Sequence, residues 1–227
     1  MDTSFWLTTW EQNKIGFHQQ DINAYLKSYW QDLGTPQACR VFVPLCGKSL
    51  DMLWLCAQGH SVLGVELSPL AVRDFFAEHG LTPEHSEEQD FYHWQAHALA
   101  ILQGDFFKLS HDHLNGVGGV FDRAALVALP PELRSAYARQ LMQILPATAS
   151  MLLVVFDYEQ SQMAGPPFAV SASEIHALYG DSYHITLLAE HDALAAYPQL
   201  QAQGLEQLQE NVYVLSPRGL SLSQSGC

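Results

Sequence analysis

Positive charge is scarce in this chain: 10 Lys and Arg stand against 24 Asp and Glu in 227 residues, a formal net charge of −14 with histidine neutral. The ten bases are scattered. Nucleic-acid binding draws its affinity from clustered Lys and Arg that displace counterions, so a nucleic-acid partner is excluded. Charge of either sign is sparse, at 15%, while hydrophobic residues make up 48%, a balance that excludes intrinsic disorder. Long apolar runs are missing too. Met151–Phe156 is among the longest, and a membrane-spanning helix needs about 20 such residues. No basic segment followed by an apolar one opens the chain at Met1-Asp2-Thr3-Ser4-Phe5-Trp6, so no secretory signal is visible and a cytoplasmic protein is expected. Cysteine is limited to Cys39, Cys46, Cys56 and Cys227, irregularly spaced and without a CxxC pair. A chain this long builds a core without disulfides, so reduced thiols are expected. No repeat period is present.

What is there is an alternation of short apolar runs and longer amphipathic segments, which predicts one α/β domain over residues 1–217. The first 35 residues are rich in aromatics, with helical spacing over Ile22–Trp30. Strands are predicted over Arg40–Val43, Ser61–Val65, Ala98–Leu102, Gly119–Asp122, Met151–Phe156, Tyr183–Ala189 and Val212–Leu215. Helices are predicted over Lys48–Gln58, from Ser68-Pro69 to Gly80, over Pro131–Leu145 and over Ser173–Leu178. Ser68 is placed to cap its helix, with Pro69 at the first helical position. The stretch before Ala98 reads as a polar, histidine-rich linker, and residues 218–227 as a flexible tail. In such sheets ligands bind beyond the carboxyl ends of the strands.

Those ends carry the candidate chemistry. Val43-Pro44-Leu45-Cys46-Gly47-Lys48-Ser49 contains Gly-Lys-Ser, but a phosphate loop needs a glycine five residues before that glycine, where Phe42 stands. The dinucleotide fingerprint fails as well, with one glycine where three are wanted, which opposes a nicotinamide dehydrogenase. What remains is a strand, a tight turn and a helix start, followed 19 positions after Gly47 by Glu66. That spacing suits a carboxylate accepting hydrogen bonds from ribose hydroxyls. Asp105 and Phe106 end the third strand, where a carboxylate can accept from an adenine amino group and an aromatic ring can stack on the base. With Phe107 beside it, one of the two phenylalanines is expected in the core. Arg123, one of six arginines, ends the fourth strand, placed for a cofactor carboxylate or an anionic acceptor. Cys46 reads as packing rather than as a nucleophile. His111-x-His113 lacks a third ligand at a usable spacing, so no metal site is expected.

With Trp10, Phe17-His18, Val43-Pro44-Leu45-Cys46-Gly47-Lys48-Ser49-Leu50-Asp51-Met52, Gly64-Val65-Glu66, Phe121-Asp122-Arg123-Ala124-Ala125-Leu126 and Gly165-Pro166-Pro167-Phe168 in collinear order, the chain resembles the thiopurine S-methyltransferase family in its bacterial form. The resemblance runs from about Trp6 to Leu215. It implies a doubly wound, mostly parallel, seven-stranded Rossmann-like sheet with helices on both faces and an N-terminal helical cover over residues 1–35. It also implies S-adenosylmethionine as cofactor and a small aromatic or heteroaromatic thiol as acceptor. Trp10, Leu45, Glu66 and Arg123 match cofactor-contacting positions, Asp105 and Phe106 the adenine side, and Phe17 a substrate-facing aromatic. One departure stands out. Mammalian relatives carry a further arginine near the acceptor in the C-terminal region, whereas here the only arginine after Arg139 is Arg218.

Methyl transfer from a sulfonium to a thiolate neutralises charge, so a dry, aligned, aromatic pocket favours it. Trp6, Trp10 and Phe17 are placed to supply such a cover, and Arg123 to position cofactor or acceptor, with no general base assigned. The expected protein is a monomer. The alternatives are a non-catalytic ligand-binding protein on the same sheet and a methyltransferase for selenium or tellurium compounds.

Overall fold

The computed structural model describes residues 3–219; the expected tail beyond Gly219 lies outside them. Helices α1 (Thr3–Glu11) and α2 (Ala24–Tyr29) precede strand β1 (Arg40–Val43). There follow α3 (Asp51–Ala57), β2 (Ser61–Glu66), α4 (Pro69–Glu78), and the strands β3 (Glu84–Glu88), β4 (Phe91–Ala96), β5 (Leu99–Gln103) and β6 (Val117–Arg123). The chain closes with α5 (Pro131–Ile144), β7 (Ser150–Asp157), α6 (Ala172–Tyr179), β8 (Tyr183–Asp192), α7 (Pro198–Gln201) and β9 (Gln209–Pro217).

The nine strands form one sheet in the order β3-β4-β5-β2-β1-β6-β7-β9-β8. The central run β5-β2-β1-β6-β7 is parallel throughout, and antiparallel pairs finish both edges. Seven strands match those read from the sequence. The two others correct that reading, since the stretch taken for a linker is the hairpin β3–β4. The reason is exposure. Every residue of β3 faces solvent and β4 buries only Phe91 and Ala96, so no apolar alternation marks either as a strand. Backbone pairing at an edge needs none.

Period-two alternation sends the central strands' side chains to two cores. Phe42, Leu63 and Val120 pack with Tyr137 and Leu141 of α5 and Ile175 of α6 on one face. Val41, Val43, Val62 and Phe121 pack with Leu26, Leu55, Phe75 and Trp30 on the other. β7 serves both faces, which is why it reads as an unbroken apolar run. Ser68 caps α4 as expected, accepting from Ala71 N–H at 3.2 Å. α3 begins at Asp51 rather than Lys48, after a turn that takes left-handed backbone, with φ of 45° at Leu45 and 53° at Gly47. Among the described residues no helix is long and apolar enough to cross a membrane, and Cys39, Cys46 and Cys56 are free thiols.

Candidate active site

The carboxyl ends of β1, β2, β5 and β6 open onto a cavity of about 930 Å³, at the upper end of the range for small-molecule sites. Its wall includes all the residues singled out from the sequence: Trp10, Phe17, Leu45, Glu66, Asp105, Phe106 and Arg123.

The floor is a turn held by a buried carboxylate. Glu66 accepts from Gly47 N–H at 2.9 Å and from Ser68 N–H at 2.7 Å, one bond to each oxygen. Burial raises its pKa, and the backbone N–H bonds oppose that shift. Each oxygen keeps a further lone pair for a hydroxyl donor. The turn that Glu66 anchors is strained: Leu45 is non-glycine at positive φ, and Ala124, directly after Arg123, is another at 64°. Gly47 answers a close approach as well as a positive φ, since a Cβ there would lie 3.1 Å from the Trp10 ring. Lys48, the lysine of the Gly-Lys-Ser triplet, is bound by Glu78 at 2.6 Å, consistent with the failed phosphate-loop reading. Cys46 is buried, and burial together with the Glu66 charge holds its thiol well above its ordinary pKa. It packs, as read from the sequence.

The end of β5 separates two adjacent aromatics. Phe106 is core, tilted on Tyr137 with centroids 4.7 Å apart, while Phe107 is 43% exposed. Asp105 caps the short helical turn between them by accepting from Phe107 N–H at 2.9 Å. Behind this side, fully buried Asp122 accepts from the Tyr137 hydroxyl at 2.7 Å and from Leu126 N–H at 3.2 Å. Burial pushes its pKa up to about 6.

The cover lies over the cavity through aromatic and backbone contacts. Phe17 makes edge-on contacts with Trp6 at 5.9 Å and Trp10 at 5.6 Å. Arg123 Nη1 donates to the Phe17 carbonyl at 2.9 Å, tying the cover to β6. His18 also borders the cavity, and burial followed by the Lys48 charge depresses its pKa. Far in sequence, Phe156, Pro166, Pro167, Tyr197 and Leu200 complete the opposite wall. The peptide bonds before Pro166 and Pro167 are cis, and the Pro167 carbonyl accepts from the Tyr158 hydroxyl at 2.6 Å. Sequence reasoning flagged the Gly-Pro-Pro-Phe loop but missed Tyr197 and Phe156, which no local motif marks. Arg218 is turned away from the cavity to the carbonyls of Gly180 and Tyr183. It does not replace the absent acceptor-side arginine.

The family model for thiopurine S-methyltransferase (TPMT) matches residues 1–218. The chain belongs to the thiopurine S-methyltransferase family. A relative of that name from Nitrosospira multiformis is 52% identical over 218 residues, covering 96% of this chain and 99% of its own. Another from Pseudomonas fluorescens is 48% identical, covering 94% and 98%. Among solved structures, a SAM-dependent methyltransferase from Anabaena variabilis aligns with a TM-score of 0.63 at 13% identity over 95% of both chains. The Burkholderia thailandensis 1,6-didemethyltoxoflavin-N1-methyltransferase, with bound S-adenosylhomocysteine, aligns at 0.61 and 15% over 95% of this chain and 86% of that one. The fold is thus the α/β methyltransferase fold. The protein is an S-adenosylmethionine-dependent S-methyltransferase, and the non-catalytic alternative is not favoured.

The residues present fit that cofactor. A carboxylate with free lone pairs at the end of β2, a second carboxylate beside an exposed aromatic at the end of β5, and a guanidinium at the end of β6 border one cavity. These donors and acceptors match a ribose diol, an adenine and a carboxylate.

Proposed function

We propose that the cavity binds S-adenosylmethionine along the ends of β2, β5 and β6 and a small aromatic or heteroaromatic thiol, of thiopurine type, between the cover and the Pro166-Pro167 loop. The observation that carries this is the convergence of Glu66, Asp105 and Arg123 on one cavity roofed by Trp6, Trp10 and Phe17. Glu66 takes the ribose hydroxyls, Asp105 the adenine amino group, and Arg123 the methionyl carboxylate. Leu45 and Trp10 pack against the cofactor. Phe107 offers the open stacking face, with Phe106 supporting it from the core. Phe17 faces the acceptor.

When bound, S-adenosylmethionine supplies a methyl group activated on a positively charged sulfonium. The chain contributes alignment and exclusion of water. Trp6, Trp10, Phe17, Phe156 and the two prolines replace solvent on either side of the reacting sulfur, which favours a reaction whose charges cancel. Aromatic faces also attract a sulfonium by the cation–π effect. Residues 1–217 act as one catalytic unit in a cytoplasmic monomer, with residues 1–35 as its lid over the site.

The test is calorimetric titration with S-adenosylhomocysteine, followed by methyl transfer to a thiopurine in the same preparation. Binding with turnover is expected. Binding without turnover on any thiol would overturn the acceptor assignment, and absence of binding would overturn the site itself.

A further inference from the structure

One buried carboxylate near the cavity has no part in the reading above. Glu210 on β9 is 4% exposed and sits behind Tyr197. It accepts from the Tyr197 hydroxyl at 3.2 Å, with the Tyr25 phenol of α2 on its other side. Arg123 from β6 and His191 from β8 face it with their charges, and His191 stacks on Tyr25 with centroids 5.2 Å apart. Tyr197 itself borders the cavity, its ring edge-on to Phe156 at 5.1 Å. The Arg123 charge faces its oxygen as well.

Of the acids that border the cavity, Asp21 is exposed and the other three are held by neighbouring groups. Both oxygens of Glu66 hold backbone N–H groups. Asp51 is taken up by Asn23 N–H at 2.8 Å and the Ser49 hydroxyl at 2.9 Å. Asp105 holds Phe107 N–H. Glu210 differs in kind, because its hydrogen-bonding partner is a phenol, and a phenol can pass a proton on. Tyr197 has one hydrogen, donated to Glu210, and oxygen lone pairs that can accept from a donor in the cavity.

We propose that Glu210, working through the Tyr197 hydroxyl, takes the proton that an un-ionised thiol must lose when its sulfur is methylated. The inference rests on the S-methyltransferase reading. The thiol sulfur uses a lone pair to bond the methyl carbon, and the methyl's former bond breaks with its electron pair on the departing sulfide. The S–H proton moves to the Tyr197 oxygen as the phenol's own proton moves to Glu210 Oε1, leaving a neutral carboxylic acid that returns its proton to solvent after release. Neither a free phenolate nor an added reagent is needed. Burial also raises the pKa of the Glu210 carboxyl, against the Arg123 charge, which strengthens it as a base.

The test compares two acceptors near neutral pH: a nitro-substituted benzenethiol, already ionised, and benzyl mercaptan, which is still protonated. Glu210→Gln and Tyr197→Phe are each expected to lower kcat with benzyl mercaptan roughly 10²-fold while changing it less than about threefold with the ionised thiol. The wild-type rate with benzyl mercaptan should rise with pH as the carboxyl ionises, and this limb should vanish in Glu210→Gln. Binding of the benzyl methyl thioether, which has no S–H, is measured calorimetrically without cofactor and should be unchanged. Equal losses with both thiols, or lost thioether binding, would make Glu210 only a support for Arg123 and overturn the proposal. Unchanged rates in both variants would do the same. Wild-type protein that binds S-adenosylhomocysteine but methylates neither thiol would instead overturn the acceptor reading, and this proposal with it.

Discussion

Replacing Glu66 by alanine removes both acceptors that hold Gly47 N–H at 2.9 Å and Ser68 N–H at 2.7 Å. Hydrogen bonds to a charged group contribute roughly 1.5–3 kcal/mol each, and donors left unpaired add a desolvation cost. Part of this loss is returned, because the carboxylate no longer has to be buried. A net destabilisation of about 2–4 kcal/mol is expected, read from urea unfolding. Cofactor affinity should fall by roughly 1–3 kcal/mol, about 5- to 150-fold in Kd, as the ribose acceptors vanish and the Leu45–Gly47 turn relaxes. Glu66→Gln sharpens the test. Its NH2 group would face one of the two backbone donors, so it should destabilise nearly as much as alanine despite its matching size. Titration with S-adenosylhomocysteine separates the two effects. A Kd unchanged in a destabilised variant would make Glu66 a turn anchor alone, and a glutamine variant as stable as wild type would refute the two-donor geometry.

Gly47→Ala forces a side chain into left-handed backbone against the Trp10 ring; a stability loss of about 1 kcal/mol or more and a weaker cofactor Kd are expected in unfolding and titration experiments. Arg123→Ala cuts the bond to the Phe17 carbonyl, so amide exchange over residues 5–18 should accelerate and kcat should fall; unchanged exchange would free the cover from Arg123. Asp122 carries a folded-state pKa raised to about 6, so the native state binds its proton more tightly than the unfolded chain. The stability this contributes is fully present below the unfolded carboxyl value of about 4 and is lost as pH rises through 6, a change of about 3 kcal/mol that Asp122→Asn should abolish in unfolding measured across that window.

The central sheet was legible because its signals are local. β7 shows an unbroken apolar run, α4 a serine cap with proline behind it, and β1 through β2 the turn and the acid 19 positions on. The hairpin β3–β4 was not, because β3 is exposed throughout and β4 buries only its two ends, so neither carries a hydrophobic period and pairing through β4 to β5 holds them. The residues proposed for the cofactor stand at strand ends and border one cavity. Which of Phe106 and Phe107 turns inward depends on a single helical turn capped by Asp105, a choice the sequence leaves open. Tyr197 and Glu210 lie beyond local reasoning altogether: Glu210 faces the Arg123 charge from β9, which inserts between β7 and β8, and Tyr197 from the segment that joins β8 to β9.

Three charged groups around the cavity share a property that bears on rate. Lys48 is fixed by Glu78, Glu66 by two backbone donors, and Arg123 by the Phe17 carbonyl. Fixed dipoles and paired charges need little rearrangement when charge disappears between the reacting sulfurs, whereas water in their place would have to reorganise. The same contacts also join the cover to the body: Trp10 lies on Gly47 in the turn anchored by Glu66, and Phe17 hangs from Arg123. In the proposed binding mode, the groups that hold the two ends of the cofactor are therefore the groups that seat the cover. In that binding mode, cofactor binding and exclusion of water are coupled through the same contacts.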